Sequence, residues 1–539
     1  MTDGLKWEAT GGCNDDKIGG NANEFSYTDE NGEKHYIQVD YGALFSKQEK
    51  TGYDSFLPVQ PHCDDILITH GHADHIAGLK HLINLRREEG KKLTLHCSPY
   101  SMVMIQSALR DTAPEDFPEF HIVEPDKPFE INGFKIEPFA VSHSIPDALG
   151  FVVESPDGVR MMTTGDFKTA DVPLGHGWND EKIAAIAKKG IDVLFLDSTS
   201  ATNPGMTKGE ADVRKGVKDV MDKSEGGMIV SSMMASSAHR IYTIAQGIAD
   251  HCRETGAAPR TIITDGGAFA SSRAALERAG YDLEKMILEE TGVPVRIVSA
   301  NTDEAKAVPP AQRLYLCTGS QGEKGTFREA AEGVNPNFSL DEAKQANVPV
   351  FVYNFQSCIP GNEETWEDIQ NKFREQGCTV EFPVRGEEEG LILHCSGHGG
   401  REDIVKACRL VAENSPRPTM VIPVHGSTEQ RKNVMKIAQE NGMKACIVQN
   451  CASVAVKKDG SKTFSAEPVS EKWIGVINDG DFKNPVWRYE NVTTDVATKA
   501  VTKQSDIAYK PAPEKPAESK DDAAAKSAIR QKIIRSKGR

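Results

Sequence analysis

The stretch Thr69-His70-Gly71-His72-Ala73-Asp74-His75 places three imidazoles and one carboxylate within six consecutive positions. A buried imidazole or carboxylate needs a partner, so such a run is costly to arrange for folding alone. Nitrogen and oxygen donors of this kind suit zinc, iron or manganese better than calcium. The run therefore predicts a divalent-metal site, and the alternative is a solvated, His-rich turn.

Apolar, strand-like runs that end in a histidine or an aspartate recur along the chain. Residues 65–69 form one such run and lead directly into the histidine cluster. Four further runs end in potential ligands: 161–164 before Asp166, 193–196 before Asp197, 391–393 before His394 and His398, and 420–424 before His425. Because sites in α/β proteins collect where strands end, the pattern predicts one shared site built from distant parts of the sequence.

The composition is that of a globular protein. The 539 residues suffice for two or three domains, with 38% hydrophobic and 26% charged residues. No apolar run approaches the eighteen or so residues of a membrane span, and the first residues lack the basic and apolar regions of a signal peptide. No membrane partner is therefore expected. The eleven cysteines are scattered without paired spacing, which is typical of reduced thiols and predicts a cytoplasmic location.

The charge distribution is uneven. A formal net charge of −16 argues by itself against a nucleic-acid partner, although binding depends on local basic surface. Residues 511–520 have the composition of a linker, and residues 526–539 carry six lysines and arginines and no acid. This basic end is a candidate source of affinity for a polyanion such as a nucleic acid.

Residues 206–365 repeat a strand-then-loop pattern of their own. Strand-like runs at 227–232, 261–267 and 314–322 each end in small polar or glycine residues. Loops of that kind can hold a phosphate on backbone N–H groups, and the alternative for each is a plain turn between strand and helix.

The metal-site residues resemble a known series. His70-x-His72-x-Asp74-His75, then His143, then Asp166 look like the ligands of the metallo-β-lactamase fold. Further segments narrow the resemblance to the β-CASP nucleases and, within them, to the ribonuclease J family: Gly11-Gly12, 18–21, 40–42, 141–147, 197–199, 317–323, 359–363, 394–398 and 423–426. The resemblance covers about residues 8–460, in the family's order.

The resemblance implies a fold and a division into domains. The expected class is α/β: a metallo-β-lactamase αβ/βα sandwich with an inserted α/β β-CASP domain and a short C-terminal extension. The expected parts are residues 1–205 and 366–467 for the two parts of the sandwich, 206–365 for the insertion, 468–510 for the C-terminal region, and 511–539 for a flexible linker and basic tail. The C-terminal region is shorter than the family's usual C-terminal domain, which helps its members to dimerise.

The resemblance also implies two zinc ions, with manganese or magnesium as alternatives in use. One zinc would be held by His70, His72, His143 and Asp166, and the other by Asp74, His75, Asp166 and His425. Asp74 would also orient the attacking water. Asp197 is expected to fix a ligating ring, and His398 to stabilise the phosphate or to protonate the leaving 3′ oxygen. Expected contacts to RNA or its phosphates are His394, Ser396, Ser231, Ser232 and Ser320.

The function implied is a two-metal ribonuclease of RNA processing and decay, acting as a 5′→3′ exonuclease with endonuclease activity as an alternative mode. Its expected partners are single-stranded RNA and either a second copy or other RNA-decay proteins. One rival reading is a hydrolase of small esters or thioesters, which would not need the insertion or the segments around His398 and His425. A second is a non-catalytic RNA-binding relative, but such relatives typically lose ligands, and all seven are present here.

Overall fold

In the computed structural model of the protein, the described residues are 4–13, 19–46, 48–359, 361–382, 391–465, 470–480, 485–495 and 500–507. The predicted linker and basic tail at 511–539 lie outside them, as do Ile18 and Pro360 of the segments that carry the resemblance. The strands of the first part of the chain are β1 Leu5–Ala9, β2 Asn23–Thr28, β3 Lys34–Val39, β4 Leu44–Phe45, β5 Ser55–Leu57, β6 Asp65–Leu67, β7 Thr94–Cys97, β8 Glu119–Ile122, β9 Phe129–Ile131, β10 Phe134–Ala140, β11 Leu149–Glu154, β12 Arg160–Thr163 and β13 Val193–Asp197.

The remaining strands fall into three groups along the chain. They are β14 Met228–Ser232, β15 Thr261–Asp265, β16 Ile297–Ser299, β17 Arg313–Cys317, β18 Val350–Val352 and β19 Thr379–Val380; then β20 Met420–Val424, β21 Lys444–Ala445, β22 Ser453–Val456 and β23 Lys462–Phe464; and finally β24 Ser470–Asn478, β25 Trp487–Asp495 and β26 Val501–Ile507.

The helices alternate with these strands. They are α1 Gln48–Thr51, α2 Ala73–Ile76, α3 Leu79–Glu88, α4 Pro99–Ala108, α5 Asp180–Ala187, α6 Glu210–Lys223, α7 Ala238–Thr255, α8 Gly267–Arg278, α9 Leu283–Thr291, α10 Asp303–Ala307, α11 Thr326–Ala331, α12 Leu340–Gln345, α13 Glu363–Glu375, α14 Arg401–Asn414 and α15 Thr428–Glu440. Short 3₁₀ helices lie at Pro114–Asp116 and Pro310–Gln312.

Two large mixed sheets pack face to face. One has the order β23-β22-β1-β2-β3-β6-β7-β8, and the other β21-β20-β13-β12-β11-β10-β9. Their facing side chains form one core, in which the rings of Trp7 from β1 and Phe195 from β13 lie 4.5 Å apart. Burial of each such side chain contributes about 1.5–3 kcal/mol.

Helices cover the outer faces of this pair of sheets. Helices α3 and α4 pack on the first sheet through a cluster that includes Leu82 and Ile105. Helices α5, α14 and α15 pack on the second through a cluster that includes Ile183, Ile404 and Val434. The layers run helix, sheet, sheet, helix, which confirms the predicted αβ/βα sandwich.

A separate parallel sheet is inserted between β13 and β20. Its order is β16-β15-β17-β14-β18-β19, and every neighbouring pair of its strands is parallel. Helix α7 packs on one face of this sheet, where Ile241, Ile244 and Ile248 share a core with residues of β14, β15 and β17. The inserted α/β part is therefore confirmed in class. Strand β19 lies beyond residue 365, and the domain boundaries remain a prediction.

The last three strands complete a sheet that the N-terminal part begins. Its order is β26-β25-β24-β5-β4, with Gly475 of β24 opposite Phe56 of β5. Tyr489 of β25 packs on α3, where its hydroxyl lies 3.1 Å from Nδ1 of His81. The C-terminal region is thus tied to residues more than four hundred positions upstream and is part of the fold of the first part of the chain.

Two negative findings concern the described residues. Among them, no helix is long and apolar enough to cross a membrane. The eleven cysteines all lie within the described ranges, and each is a free thiol.

Candidate metal centre

The histidine cluster follows β6 and continues into the one-turn helix α2. His70 and His72 precede the helix, and Asp74 and His75 lie in its only turn. The backbone there is crowded, because a Cβ added at Gly42 would lie only 1.7 Å from the carbonyl oxygen of Asp74. Glycine at position 42 therefore lets the connecting segment that follows β3 approach α2 closely.

The other predicted ligands lie at strand ends of the second sheet. His143 follows β10, Asp166 follows β12, Asp197 ends β13 and His425 follows β20. Strands β12, β13 and β20 are mutually parallel neighbours, so their carboxyl ends meet at one edge of the sheet. The structure brings all of these side chains together. For Asp166, Asp197 and His425 the pattern of strand ends predicts this, whereas His143 was expected from the resemblance.

One group of donors is formed by His70, His72, His143 and Asp166. Nδ1 of His72 lies 3.0 Å from Nε2 of His70 and 3.0 Å from Nε2 of His143. Oδ2 of Asp166 lies 3.6 Å from Nε2 of His70 and 3.8 Å from Nε2 of His143. Three ring nitrogens and one carboxylate oxygen therefore converge on a single point.

A second group shares Asp166 with the first and adds Asp74, His75 and His425. Nε2 of His75 lies 3.3 Å from Oδ2 of Asp166 and 3.6 Å from Oδ2 of Asp74. Nε2 of His425 lies 3.0 Å from Oδ2 of Asp74. The donor sets match, residue for residue, the two sets that the resemblance implies.

The protonation states favour a cation in the first group. Nδ1 of His143 lies 2.9 Å from the carbonyl oxygen of Gly397. Because a carbonyl only accepts, Nδ1 carries the proton and Nε2 presents a lone pair to the group. Burial, reinforced by the neighbouring imidazoles, lowers the pKa of His70 and of His143 well below the usual range. Neutral imidazoles facing each other in this way fit a metal ion.

The carboxylates of the second group have the opposite effect. Burial alone would lower the pKa of His75, but Asp166, Asp74 and Asp40 outweigh it and hold that pKa well above its usual value. Burial is likewise outweighed at His425, whose pKa is raised to about 10, mainly by Asp166 and Asp197. Oδ1 of Asp166 is buried and, among the described residues, has no hydrogen-bond donor in good geometry. This concentration of negative charge also fits a divalent cation.

Residues around the donors fix their rings. Oδ2 of Asp40 lies 2.7 Å from Nδ1 of His75 and also accepts a hydrogen bond from the Thr69 hydroxyl at 2.7 Å. On the other side, Nδ1 of His425 lies 2.7 Å from the Thr199 hydroxyl and 3.3 Å from Oδ1 of Asp197. Such partners hold a ligating ring in one tautomer and one orientation.

His398 approaches the centre from the chain segment that follows the inserted sheet. Its Nδ1 lies 2.7 Å from Oδ2 of Asp197 and 3.9 Å from Oδ2 of Asp166. The ring of His398 stacks on that of His425 at 5.5 Å between centroids, and its side chain is 21% exposed. His398 therefore combines a fixed ring with access from outside.

His394 and Ser396 lie on the same segment. The Ser396 hydroxyl accepts a hydrogen bond from the backbone N–H of His398 at 3.0 Å and lies 3.4 Å from the hydroxyl of Ser200. Burial, with the Arg240 guanidinium nearby, lowers the pKa of His394 to about 3. Both residues are half-buried.

The three serines of the inserted sheet are less accessible. Ser231 and Ser232 end β14 and are completely buried, and neither hydroxyl has a hydrogen-bond partner among the described residues. Ser320 follows β17 and is 2% exposed, and its carbonyl oxygen accepts a hydrogen bond from the side chain of Asn354. No hydrogen bond within the described ranges joins these serines to His394 or Ser396, and their contact with RNA stays a prediction.

Several residues of the centre carried no predicted role. Asp40 and Thr199 belong to segments that carry the resemblance but had no expected role, yet each contacts a predicted ligand directly. Asn21 likewise had no expected role, and its Nδ2 lies 3.0 Å from Nε2 of His75. Their positions beside quoted motifs were the only signal in the sequence, because their partners are distant along the chain.

Residues 50–233 match the Beta-lactamase superfamily domain. The chain is 25% identical over 490 residues to Ribonuclease J of Corynebacterium glutamicum, a match that covers 89% of this chain and 62% of that protein. It is 26% identical over 471 residues to Ribonuclease J 1 of Streptococcus pyogenes, covering 84% of this chain and 75% of the relative. The chain thus resembles ribonuclease J over most of its own length while spanning under two thirds of the first relative.

A solved structure with the same fold is a protein of unknown function from Enterococcus faecalis. The two superpose with a TM-score of 0.50 at 14% sequence identity, covering 84% of this chain and 100% of the other. The likeness supports the metallo-β-lactamase fold with its mixed sheets and carries no information on activity.

Proposed function

We propose that this protein is a two-metal ribonuclease that hydrolyses RNA phosphodiester bonds as a 5′→3′ exonuclease, with endonuclease cutting as a second mode. The observation that carries the proposal is the pair of donor groups sharing Asp166, with His398 beside them on the segment that follows the inserted sheet. The similarity to ribonucleases J supports RNA as the substrate.

The proposed metals are two zinc ions, with manganese or magnesium as alternatives. His70, His72, His143 and Asp166 would hold one, and Asp74, His75, Asp166 and His425 the other. When bound, such a pair of cations lowers the pKa of water and offsets the negative charge of a phosphodiester. Nitrogen and carboxylate donors without thiolates are consistent with any of these metals.

The chain's own residues would do the remaining work. Asp74, the most exposed of these carboxylates at 30%, would orient an attacking water. Asp197 binds Nδ1 of His398, so Nε2 is the ring atom left to face a substrate. From there His398 would stabilise the phosphate or donate a proton to the leaving 3′ oxygen.

The proposed substrate channel lies between the sandwich and the inserted part. Single-stranded RNA would pass His394 and Ser396 on its way to the metals, with Ser231, Ser232 and Ser320 of the inserted sheet as further candidate contacts. A homodimer or a complex with other RNA-decay proteins remains a prediction. A cytoplasmic location is proposed from the eleven free cysteines.

The main alternative is a hydrolase of small esters or thioesters. It would use the same first cluster of ligands, but a small substrate needs neither a whole inserted sheet nor His398 fixed by Asp197. A non-catalytic RNA-binding role is disfavoured because the seven donor side chains converge in two complete groups.

The test uses RNA labelled at the 5′ or the 3′ end and carrying either a 5′ monophosphate or a 5′ triphosphate. Release of mononucleotides from the 5′ monophosphate end supports the exonuclease, and internal products support the second mode. The control is the Asp74→Ala, His75→Ala double variant. Cleavage by this variant at the wild-type rate, or wild-type activity on small esters alone, would overturn the proposal.

A further inference from the structure

The segment from Leu393 to His398 has no strand or helix of its own. It nevertheless carries His394, Ser396 and His398, and Leu393 and Cys395 are buried. A segment without a strand ladder must satisfy its backbone groups in another way. The side chains that do so determine where these three residues lie.

Four side chains donate to the carbonyl oxygens of this segment. Arg240 Nη1 donates to Leu393 O at 2.9 Å, and Lys168 Nζ donates to Ser396 O at 2.9 Å. His143 Nδ1 donates to Gly397 O, and the Thr207 hydroxyl donates to His398 O at 2.9 Å. Two of the four donors, Arg240 and Lys168, are cations that the metal centre does not use.

Arg240 ties the segment to the inserted part. It lies on α7, is 2% exposed, and also donates to Phe355 O at 2.9 Å. Its Nη2 and Nε lie 2.9 and 3.0 Å from the carboxylate of Glu210 on α6. Although burial opposes ionisation of both groups, each holds the other charged: the pKa of Arg240 is raised and that of Glu210 is lowered.

Lys168 ties the segment to the loop that carries Asp166. It is 1% exposed, and its Nζ donates to Cys395 Sγ at 3.4 Å as well as to Ser396 O. Cys395 also accepts from Arg240 at 3.3 Å and donates to Glu210 at 3.2 Å. No carboxylate of the described residues lies within ion-pair distance of Lys168. The buried cluster of Lys168, Glu210, Arg240 and Cys395 therefore has two cations and one anion.

An excess positive charge in a buried cluster is unfavourable unless an anion compensates it. The cluster contacts the segment next to Ser396, where Nζ of Lys168 donates to the Ser396 carbonyl oxygen. A phosphate bound at the side chains of His394 and Ser396 would supply a compensating negative charge. Charge-assisted interactions of this kind are strong because the surroundings are dry.

We propose that Lys168 and Arg240 are positioning residues that fix the segment 393–398 through its carbonyl oxygens, and that Lys168 provides the positive charge balanced by a substrate phosphate. The phosphate part of this inference rests on the proposed function, whereas the positioning part does not. Arg240 makes the segment depend on the docking of the inserted part, and Lys168 couples it to the loop of Asp166.

Two variants separate these roles. Lys168→Met removes the cation that has no carboxylate partner within the described ranges and leaves the Glu210–Arg240 pair intact, so no charge of that pair is orphaned. The double variant Glu210→Gln, Arg240→Gln removes the pair without leaving either partner charged. The matched control is Arg260→Gln. Arg260 also donates to backbone carbonyls, those of Ser224, Gly227 and Ala311, but at the opposite edge of the inserted sheet.

Each metal-loaded protein is examined for zinc content, thermal stability, hydrogen–deuterium exchange of residues 391–399, and affinity for inorganic phosphate by titration. In Lys168→Met we expect phosphate affinity and kcat/KM on RNA to fall about 10- to 100-fold at unchanged zinc content. In the double variant we expect hydrogen–deuterium exchange of residues 391–399 to accelerate about tenfold or more. In Arg260→Gln we expect this exchange and the phosphate affinity to stay at wild-type values.

The outcomes are distinct. Wild-type phosphate affinity in Lys168→Met overturns the charge role. If the double variant exchanges 391–399 no faster than Arg260→Gln does, the positioning role is overturned. If the wild-type protein fails to cleave RNA, the proposed function fails, yet the exchange and phosphate measurements still decide this inference.

Discussion

Replacement of Asp40 by asparagine tests how the centre holds its second group of donors. Asp40 accepts from Nδ1 of His75 at 2.7 Å and from the backbone N–H of Thr69 at 2.8 Å. Asparagine has the same shape and tolerates the positive φ of 58° at this position. Its oxygen can keep the bond from Thr69, but its NH₂ group then faces Nδ1 of His75 and cannot accept a proton.

The consequence concerns the lone pair of His75. To accept from the new amide, Nδ1 must lose its proton, and Nε2, the atom that faces Asp166 and Asp74, must then carry it. A ring nitrogen with a proton cannot ligate a metal. Loss of such a supporting partner typically lowers metal affinity about 10- to 100-fold. This corresponds to about 1.4–2.8 kcal/mol, confined to the group that contains His75.

The assay is a competitive titration of the metal-loaded protein with a zinc chelator of known affinity. We expect the wild type to release two equivalents together at high chelator and Asp40→Asn to release one equivalent about 10- to 100-fold more readily. Asp65→Asn is the matched control. Oδ1 of Asp65 lies 2.9 Å from Nε2 of the buried His96 on the same sheet, outside both donor groups. Two equivalents held by Asp40→Asn with wild-type affinity would refute the reasoning.

Three further predictions follow from other parts of the structure. His398→Asn, which can keep a hydrogen bond to Asp197, should lower kcat on RNA about 100- to 10,000-fold at unchanged zinc content; a wild-type kcat would exclude His398 from proton transfer. Burial raises the pKa of Asp147, although the Tyr281 hydroxyl donates to its carboxylate at 2.8 Å. The folded protein therefore binds this proton more tightly than the unfolded chain does, and the free energy of unfolding falls as pH rises through the raised pKa. Asp147→Asn should therefore raise the melting temperature relative to wild type at pH 7 and lose that advantage at acidic pH, which thermal melts at several pH values would check. Removal of residues 511–539 should weaken RNA binding and flatten its salt dependence without changing the melting temperature; an unchanged salt slope would show that the basic end does not bind phosphates.

The sequence allowed the centre to be predicted because its signals are local. His70 to His75 are contiguous, and Asp166 and His425 each stand within two residues of the end of an apolar run, where the chain leaves a strand. His143 was expected only from the resemblance. The parallel neighbours β12, β13 and β20 then bring Asp166, Asp197 and His425 to one edge by topology alone. The same local signals, apolar runs followed by small polar residues, predicted the strand-then-loop units of the inserted part but not the parallel direction of its strands.

The parts that escaped prediction depend on contacts between distant residues. Strand β24 reads as an ordinary apolar run, and nothing in it specifies β5, more than four hundred residues upstream, as its partner. Ser231 and Ser232 were expected to contact RNA because they are polar and end a strand-like run, yet they are fully buried as the last residues of β14. Polarity indicates exposure only on average, and the last residues of a central parallel strand are an exception.

For the segment from Leu393 to His398, the spacing of the motif identifies candidate site residues but does not determine where they lie in the structure. The spacing of His394, Ser396 and His398 could be read from the chain, but their positions in space are set by Arg240, Lys168 and Thr207, none of which is adjacent in sequence. Arg240 and Thr207 come from the chain that leads into and forms the inserted part, while Lys168 and His143 come from the sandwich. The segment is therefore held where these two parts meet. A change in how the inserted part docks would move His398 relative to Asp197, and it would also act on the donor His143, which donates to Gly397 O of the same segment. Because all seven metal donors are carried by the sandwich, substrate turnover should be lost before metal affinity.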